Sequence, residues 1–162
     1  MDTYGHSRVE RPKPASHRLR MGRFEEPGRS YLLTASTDGR ESVFTDFEAG
    51  CIVARSLSHL DRIGHSKTVA WVLMPDHLHW LVEPAGGSTP AGLMKSLKGY
   101  SARRINDLLG RSGRIWQPGF HDHAVREEED LRVLTRYVVA NPVRAGIVDD
   151  IGSYPFWDAA WI

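Results

Sequence analysis

The chain has 162 residues, 41% of them apolar and 25% charged, and its 21 basic and 20 acidic side chains give a formal net charge of +1. Such a chain suits one globular domain with a core of ordinary size and requires no second domain. No apolar run approaches the roughly 20 residues that span a bilayer, and the charged N-terminus lacks a hydrophobic signal core. The lone Cys51 excludes an intramolecular disulfide, so a cytoplasmic location without membrane contact is expected.

The first 28 residues hold Pro12, Pro14 and Pro27, several basic side chains and no apolar periodicity. Residues 1–28 therefore read as a basic, flexible arm, and residues 29–162 as a single domain. The domain opens with a strand over Ser30 to Ser36 and a turn at Asp38-Gly39. A helix from about Asp46 to Ile63 follows, with Cys51, Ile52, Ala54, Leu57 and Leu60 as its apolar stripe. Cys51 reads as a small core residue in that stripe.

Two strands come next, Thr68 to Met74 and His77 to Glu83. Only Pro75-Asp76 separates them, which suits a tight antiparallel hairpin or a bulged continuation. Ser88 is the expected N-cap of a long helix that runs through Leu109, with Leu93, Leu97, Ile105 and Leu108 on one side and Gly110 as its stop. Ile115 to Arg126 reads as a further strand whose start is broken by Pro118-Gly119. The acidic run Glu127 to Asp130 then opens a helix that extends to about Asn141, ahead of Pro142. The order strand, helix, two strands, helix, strand, helix implies an α+β fold: a ferredoxin-like or RRM-like antiparallel sheet, helices on one face, and an added C-terminal helix. Such sheets serve many functions, so the fold alone does not assign one.

Charge is unevenly distributed. Lys95, Lys98, Arg103, Arg104, Arg111 and Arg114 lie between Ser88 and Arg114 against Asp107 alone, while acids collect after Glu127. A basic stripe is compatible with a solvated helix face or with a phosphate backbone. Lys95, Lys98, Arg103 and Arg104 are the candidate phosphate contacts. Trp116 is open between a base-stacking platform and core packing, whereas Phe120 is read as core.

Chemistry concentrates in two places. His77 and His79 are two apart on a strand, so their imidazoles project from one face at a spacing that suits a shared metal ion or phosphate; two polar residues on a wet strand face is the competing reading. Tyr137 and Asn141 are four apart, hence about 40° apart on a helix and one turn along it. Leu131, Leu134 and Val138 form the stripe that packs this helix, with Tyr137 at its edge. An amphipathic core tyrosine followed by a capping asparagine is the structural alternative. His121 and His123 also share a strand face, and are assigned a surface or structural role ahead of lining a groove. His6, His17, His59 and His65 show no partners in the sequence.

Taken together, PGRSYLLTAS, VLMPDHLHWLVEP, LMKSLKGYSARRIN, GRIWQPGFHDHAVREEEDL, RYVVANPVRAGIV and SYPFWDAAWI resemble the REP-associated tyrosine transposases. These are relatives of the single-tyrosine HUH transposases, and the likeness leaves out only the arm before about Glu26. The resemblance implies His77 and His79 as metal ligands, Tyr137 as nucleophile and Asn141 as the polar residue that completes the metal site. It also implies Mg²⁺ or Mn²⁺ as cofactor and single-stranded or hairpin DNA as partner, with monomer and homodimer both open. The implied reaction is a strand cleavage that leaves a 5′-phosphotyrosine and a free 3′-hydroxyl. A catalytically inactive DNA- or RNA-binding relative is the alternative, although Tyr137, His77 and His79 are all present. A histidine-triad nucleotide hydrolase is disfavoured by Leu81, where that motif needs another histidine.

Overall fold

Alternating apolar residues in the first strand and in the hairpin predict a sheet with two distinct faces, and that sheet organises the molecule. A computed structural model describes residues 28–126 and 129–160. The N-terminal arm therefore lies almost wholly outside the described residues. Nine elements are β1 (Tyr31–Ser36), α1 (Phe47–Arg62), β2 (Ser66–Met74), β3 (His77–Pro84), α2 (Pro90–Leu109), β4 (His121–Ala124), α3 (Leu131–Val139), α4 (Asn141–Arg144) and β5 (Trp157–Ala159). The strands form one antiparallel sheet in the order β4-β1-β3-β2-β5, which is the ferredoxin-like order with one strand added at the β2 edge.

Each face has its own core. Leu33, Ala35, Leu78, Trp80 and Val82 turn toward α1 and α2 and meet Val53, Leu57, Leu93, Leu97 and Ile105. Ala70, Val72, Met74 and Leu81 turn the other way and pack on Val138 and Val139 of α3. Because side chains alternate along β3, His77 and His79 fall on the α3 face with Leu81. The faces are set by apolar burial, worth about 25 cal/mol per Å², since a one-residue slip of β3 would put Trp80 and both leucines on the wrong sides.

Helix boundaries follow from their caps. Asp46 caps α1 by accepting from the Ala49 N–H at 3.0 Å. For α2 the cap is Thr89, one residue beyond the expected Ser88; its hydroxyl accepts from Gly92 N–H at 3.0 Å, and Pro90 occupies the first turn. Gly110 ends α2 in the left-handed region at φ 62°. Leu93, Leu97 and Ile105 are buried as expected, but Leu108 is 41% exposed at the rim of a surface cavity that it lines with Ile52 and Arg55 of α1.

Three expectations are corrected. The strand expected over Ile115–Arg126 shrinks to β4, preceded by an isolated bridge between Thr37 and Trp116. Pro118 donates no hydrogen bond and Gly119 turns the chain at φ 76°, which separates the two pairings. The helix expected from Glu127 starts at Leu131, with Asp130 as its N-cap. Glu129 instead accepts from the Arg126 N–H and pairs with His123 at 2.9 Å. Third, β5 is an element the sequence reading did not include: three residues are too few to show a periodicity. It is fixed by Phe156, whose ring lies where a Cβ on Gly50 would be, 2.4 Å from Cζ, and by the Tyr154 hydroxyl, which donates to Leu73 O.

Candidate functional site

On the α3 face, the His77 and His79 rings meet edge to face with centroids 4.8 Å apart. Each is fixed from behind through Nδ1. His77 Nδ1 lies 2.7 Å from Asp76 Oδ1, and since a carboxylate only accepts, Nδ1 carries the proton and Nε2 is the ring nitrogen left to face a ligand. His79 Nδ1 lies 2.9 Å from Thr34 Oγ1 on the neighbouring strand. Burial, the largest cause, together with the positive charges of His77, Arg144 and Arg40, pushes the His79 pKa down to about 4, so this imidazole is neutral at pH 7.

The turn that carries Asp76 is itself braced. Arg40 donates through Nε to Asp76 Oδ2 at 3.0 Å and through Nη1 to Ser36 Oγ at 2.9 Å. Thr37 donates its N–H to the Asp76 carbonyl at 2.9 Å, and its hydroxyl is shared between the carbonyls of Glu41 at 2.7 Å and Asp76 at 3.1 Å. Arg40 reaches this position with φ 55°, a left-handed conformation that non-glycine residues rarely adopt. Burial alone would raise the Asp76 pKa. The hydrogen bond from His77 and the charges of His77 and Arg40 outweigh it and hold the carboxyl below its usual value.

Tyr137 lies on α3, the helix laid across β2 and β3. It is 58% exposed, while Leu131, Leu134 and Val138 pack toward the sheet as the stripe predicts. The expected single helix through Asn141 is divided: α3 ends at Val139, and Asn141 opens α4 with Pro142 in its first turn. Pro142 has no N–H for the carbonyl four residues earlier, Val138 O, and Asn141 Nδ2 donates to that carbonyl at 2.8 Å. The asparagine therefore caps a proline gap, and its Oδ1 remains available as a ligand. Arg144, one turn on, places its guanidinium carbon 4.0 Å from the Tyr137 ring centroid, and its charge also acts on His79. Arg144 thus lies over the tyrosine ring, and its charge is felt at His79.

Two imidazoles anchored through Nδ1 are borderline donors, and the Asn141 amide oxygen on the neighbouring helix is a hard one; these are the residues that could hold a divalent cation such as Mn²⁺ or Mg²⁺, with water completing its shell. Among the described residues no group of three or more His, Cys, Asp and Glu side chains is gathered for an ion.

The candidate DNA contacts are not at this site. Lys95, Lys98, Arg103 and Arg104 belong to α2, which packs on the opposite face of the sheet. Lys98 Nζ donates to Gln117 O at 2.8 Å and to Gly119 O, which clips the loop before β4. Arg104 lies over the Tyr100 ring at 4.1 Å. Lys95 and Arg103 are exposed. Trp116 is corrected to a core residue: it is 4% exposed, packs against Phe44 at 5.2 Å and donates Nε1–H to Ser101 Oγ at 2.9 Å. Its face cannot receive a base. Phe120 packs against the same core, as expected. The sequence reading missed Arg40, Thr34 and Arg144, since no local pattern marks a side chain that acts across the fold.

Comparison with known proteins identifies the family. The family model described as "Transposase IS200 like" matches residues 29–141. A REP-associated tyrosine transposase of Escherichia coli is 33% identical over 54% of this chain and 50% of its own length, so the match spans about half of that relative. A Haemophilus influenzae protein assigned to the same group is 30% identical over 82% of this chain and 80% of its own. The solved structure of a REP-associated tyrosine transposase bound to a REP hairpin superposes with a TM-score of 0.67 at 25% identity, covering 83% of this chain and 79% of that one. No helix among the described residues is long and apolar enough to cross a membrane. The sheet order, the histidine pair and these matches place the chain in the IS200-like transposase family, a family of enzymes.

Proposed function

We propose that the chain is a metal-dependent single-stranded DNA endonuclease and strand transferase that uses Tyr137 as its nucleophile on hairpin DNA. The observation that carries this reading is the guanidinium of Arg144, which lies across Tyr137 and acts on His79. The exposed phenol thus stands, under a guanidinium, on the helix that packs on the same face of the sheet as the two oriented imidazoles. His77 Nε2, His79 Nε2 and Asn141 Oδ1 would hold Mg²⁺ or Mn²⁺. When bound, the cation supplies a Lewis acid for a non-bridging phosphate oxygen.

A phenol with an ordinary pKa of about 10 is a weak nucleophile at neutral pH and needs cationic surroundings. Tyr137 Oη attacks phosphorus, its proton passes to solvent or a nearby base, and the bond from phosphorus to the 3′-oxygen breaks. The departing oxygen takes up a proton to become the free 3′-hydroxyl, while the 5′-phosphate stays on the tyrosine. Phosphodiester energy is conserved in that link, so attack by a 3′-hydroxyl reverses the step and joins strands without ATP. The likeness to a transposase bound to a REP hairpin supports hairpin DNA as the partner.

Tyr137→Phe removes one hydroxyl from an exposed ring and leaves its stacking on Arg144, so stability should change by less than about 0.5 kcal/mol. Incubation with Mn²⁺ and single-stranded oligonucleotides from the DNA flanking the gene should give the wild-type chain a covalent adduct that survives denaturing electrophoresis. The variant should give none. An adduct with Tyr137→Phe would exclude this nucleophile, and none with the wild-type chain would favour an inactive binding relative.

A further inference from the structure

The second His-x-His, on β4, has no role in the chemistry above, but the sheet register places it beside the first. Residues opposite one another in an antiparallel pair share a face. Thr34 of β1 faces His79 on one side and His121 on the other, and Leu32 faces Leu81 and His123. His79, Thr34 and His121 therefore form one row across three strands. With strands about 4.8 Å apart, His121 lies about 10 Å from His79 along that row.

The two β4 histidines differ in circumstance. His123 is engaged by Glu129 at 2.9 and 3.2 Å and ties the end of β4 to the entry of α3. The His121 side chain is exposed, and among the described residues no side-chain hydrogen bond or ion pair holds it, while its backbone pairs with Thr34. α3 lies mainly over β2 and β3 and reaches Leu32 and Val125 at one end of β1 and β4, whereas Thr34 and Ser36 remain partly exposed toward the other end, by His121. Charge at the histidine-pair end favours an anion: Arg40 and Arg144 bring guanidinium groups to Asp76 and Tyr137, and the Asp76 carboxylate is already paired with His77 and Arg40.

We propose that the row from His79 through Thr34 to His121 is the track for the unpaired strand adjoining the scissile phosphate, with the His121 ring stacked on a neighbouring base. The proposal rests on the strand-cleavage reading above. An uncovered sheet face with an exposed aromatic ring fits a single strand, whose bases are free to stack. A duplex keeps its base faces inside and gains nothing from such a ring.

The test uses fluorescence anisotropy with the full chain and two labelled DNA hairpins from the gene's flanking sequence, one with a single-stranded extension and one blunt. Stacking of one base accounts for a factor of about 5 to 150 in affinity. His121→Ala should weaken binding of the extended hairpin within that range and leave the blunt hairpin unchanged, while His121→Phe, which keeps a stacking face, should restore it. Circular dichroism establishes that the variants fold. Unchanged affinity in His121→Ala, an equal loss on the blunt hairpin, or a phenylalanine variant as weak as the alanine one would overturn the track. Covalent adduct formation by the wild-type chain in the same samples separates the two claims: an adduct with no His121 effect sinks the track alone, whereas no adduct and no preference for the extended hairpin sinks both.

Discussion

Asp76→Asn isolates the brace behind the candidate metal ligands at almost constant shape. The substitution keeps a good turn residue in the two-residue hairpin, and the backbone carbonyl bound by Thr37 is untouched. It removes the charge that accepts from His77 at 2.7 Å and from Arg40 at 3.0 Å. Two effects then diverge. Arg40 is more than half exposed, so its pair with Asp76 contributes only about 0.2–1 kcal/mol to folding. The His77 ring, however, loses the anion that fixes its Nδ1–H tautomer and raises the basicity of Nε2. Losses of that kind lower metal affinity by about 10- to 100-fold, or about 1.4–2.7 kcal/mol. An amide oxygen still accepts weakly, which places the expected effect near tenfold, and Arg40→Ala should fall below it because the carboxylate stays. Calorimetric titration of Mn²⁺ into the metal-free chain reads this directly, with urea denaturation as the control. Unchanged Mn²⁺ affinity in Asp76→Asn, or a loss matched by global destabilisation, would refute the argument that Asp76 acts through His77.

Two further outcomes follow from the same coordinates. His79 has a folded pKa of about 4 against an ordinary 6.5; the unfolded chain therefore binds a proton that the folded chain refuses between those values. Its contribution to the stability of the metal-free protein is complete above pH 6.5 and is lost progressively as pH falls toward 4. Urea denaturation at pH 7.5 and pH 5 should show a smaller drop in His79→Gln than in wild type, and equal drops would contradict it. Gly50→Ala places a Cβ against the Phe156 ring at 2.4 Å, so the β5 segment must shift; the expected loss is about 1–3 kcal/mol, and a variant as stable as wild type would show that the segment docks loosely.

Much of the fold was legible because its signals are local. Alternation marked β1 and the hairpin, a two-residue Pro75-Asp76 linker set the turn, and Asp46 and Gly110 marked helix ends through side-chain and backbone chemistry within a few residues. The placement of His77 and His79 on one face followed from pleat geometry alone. Where the local signal was brief or ambiguous, the reading slipped: β5 is too short for a pattern, and the acids before α3 serve as a cap and a histidine partner instead of a first turn.

The sequence by itself determined which residues could do chemistry, because an imidazole pair, a tyrosine and an amide are properties of residue type and spacing. Only the tertiary structure decided what each of them meets. Long-range packing buried Trp116 against Phe44, turned the basic residues of α2 away from the histidines and laid α3 over the opposite face. Strand register placed Thr34 behind His79 and brought His121 into the same row. The left-handed turn at Arg40 delivered a guanidinium to Asp76, and a helix broken at Pro142 delivered another to Tyr137. These contacts join residues far apart in the chain or across a helix break, and apolar burial, which fixes the faces of the sheet, selects them as a set.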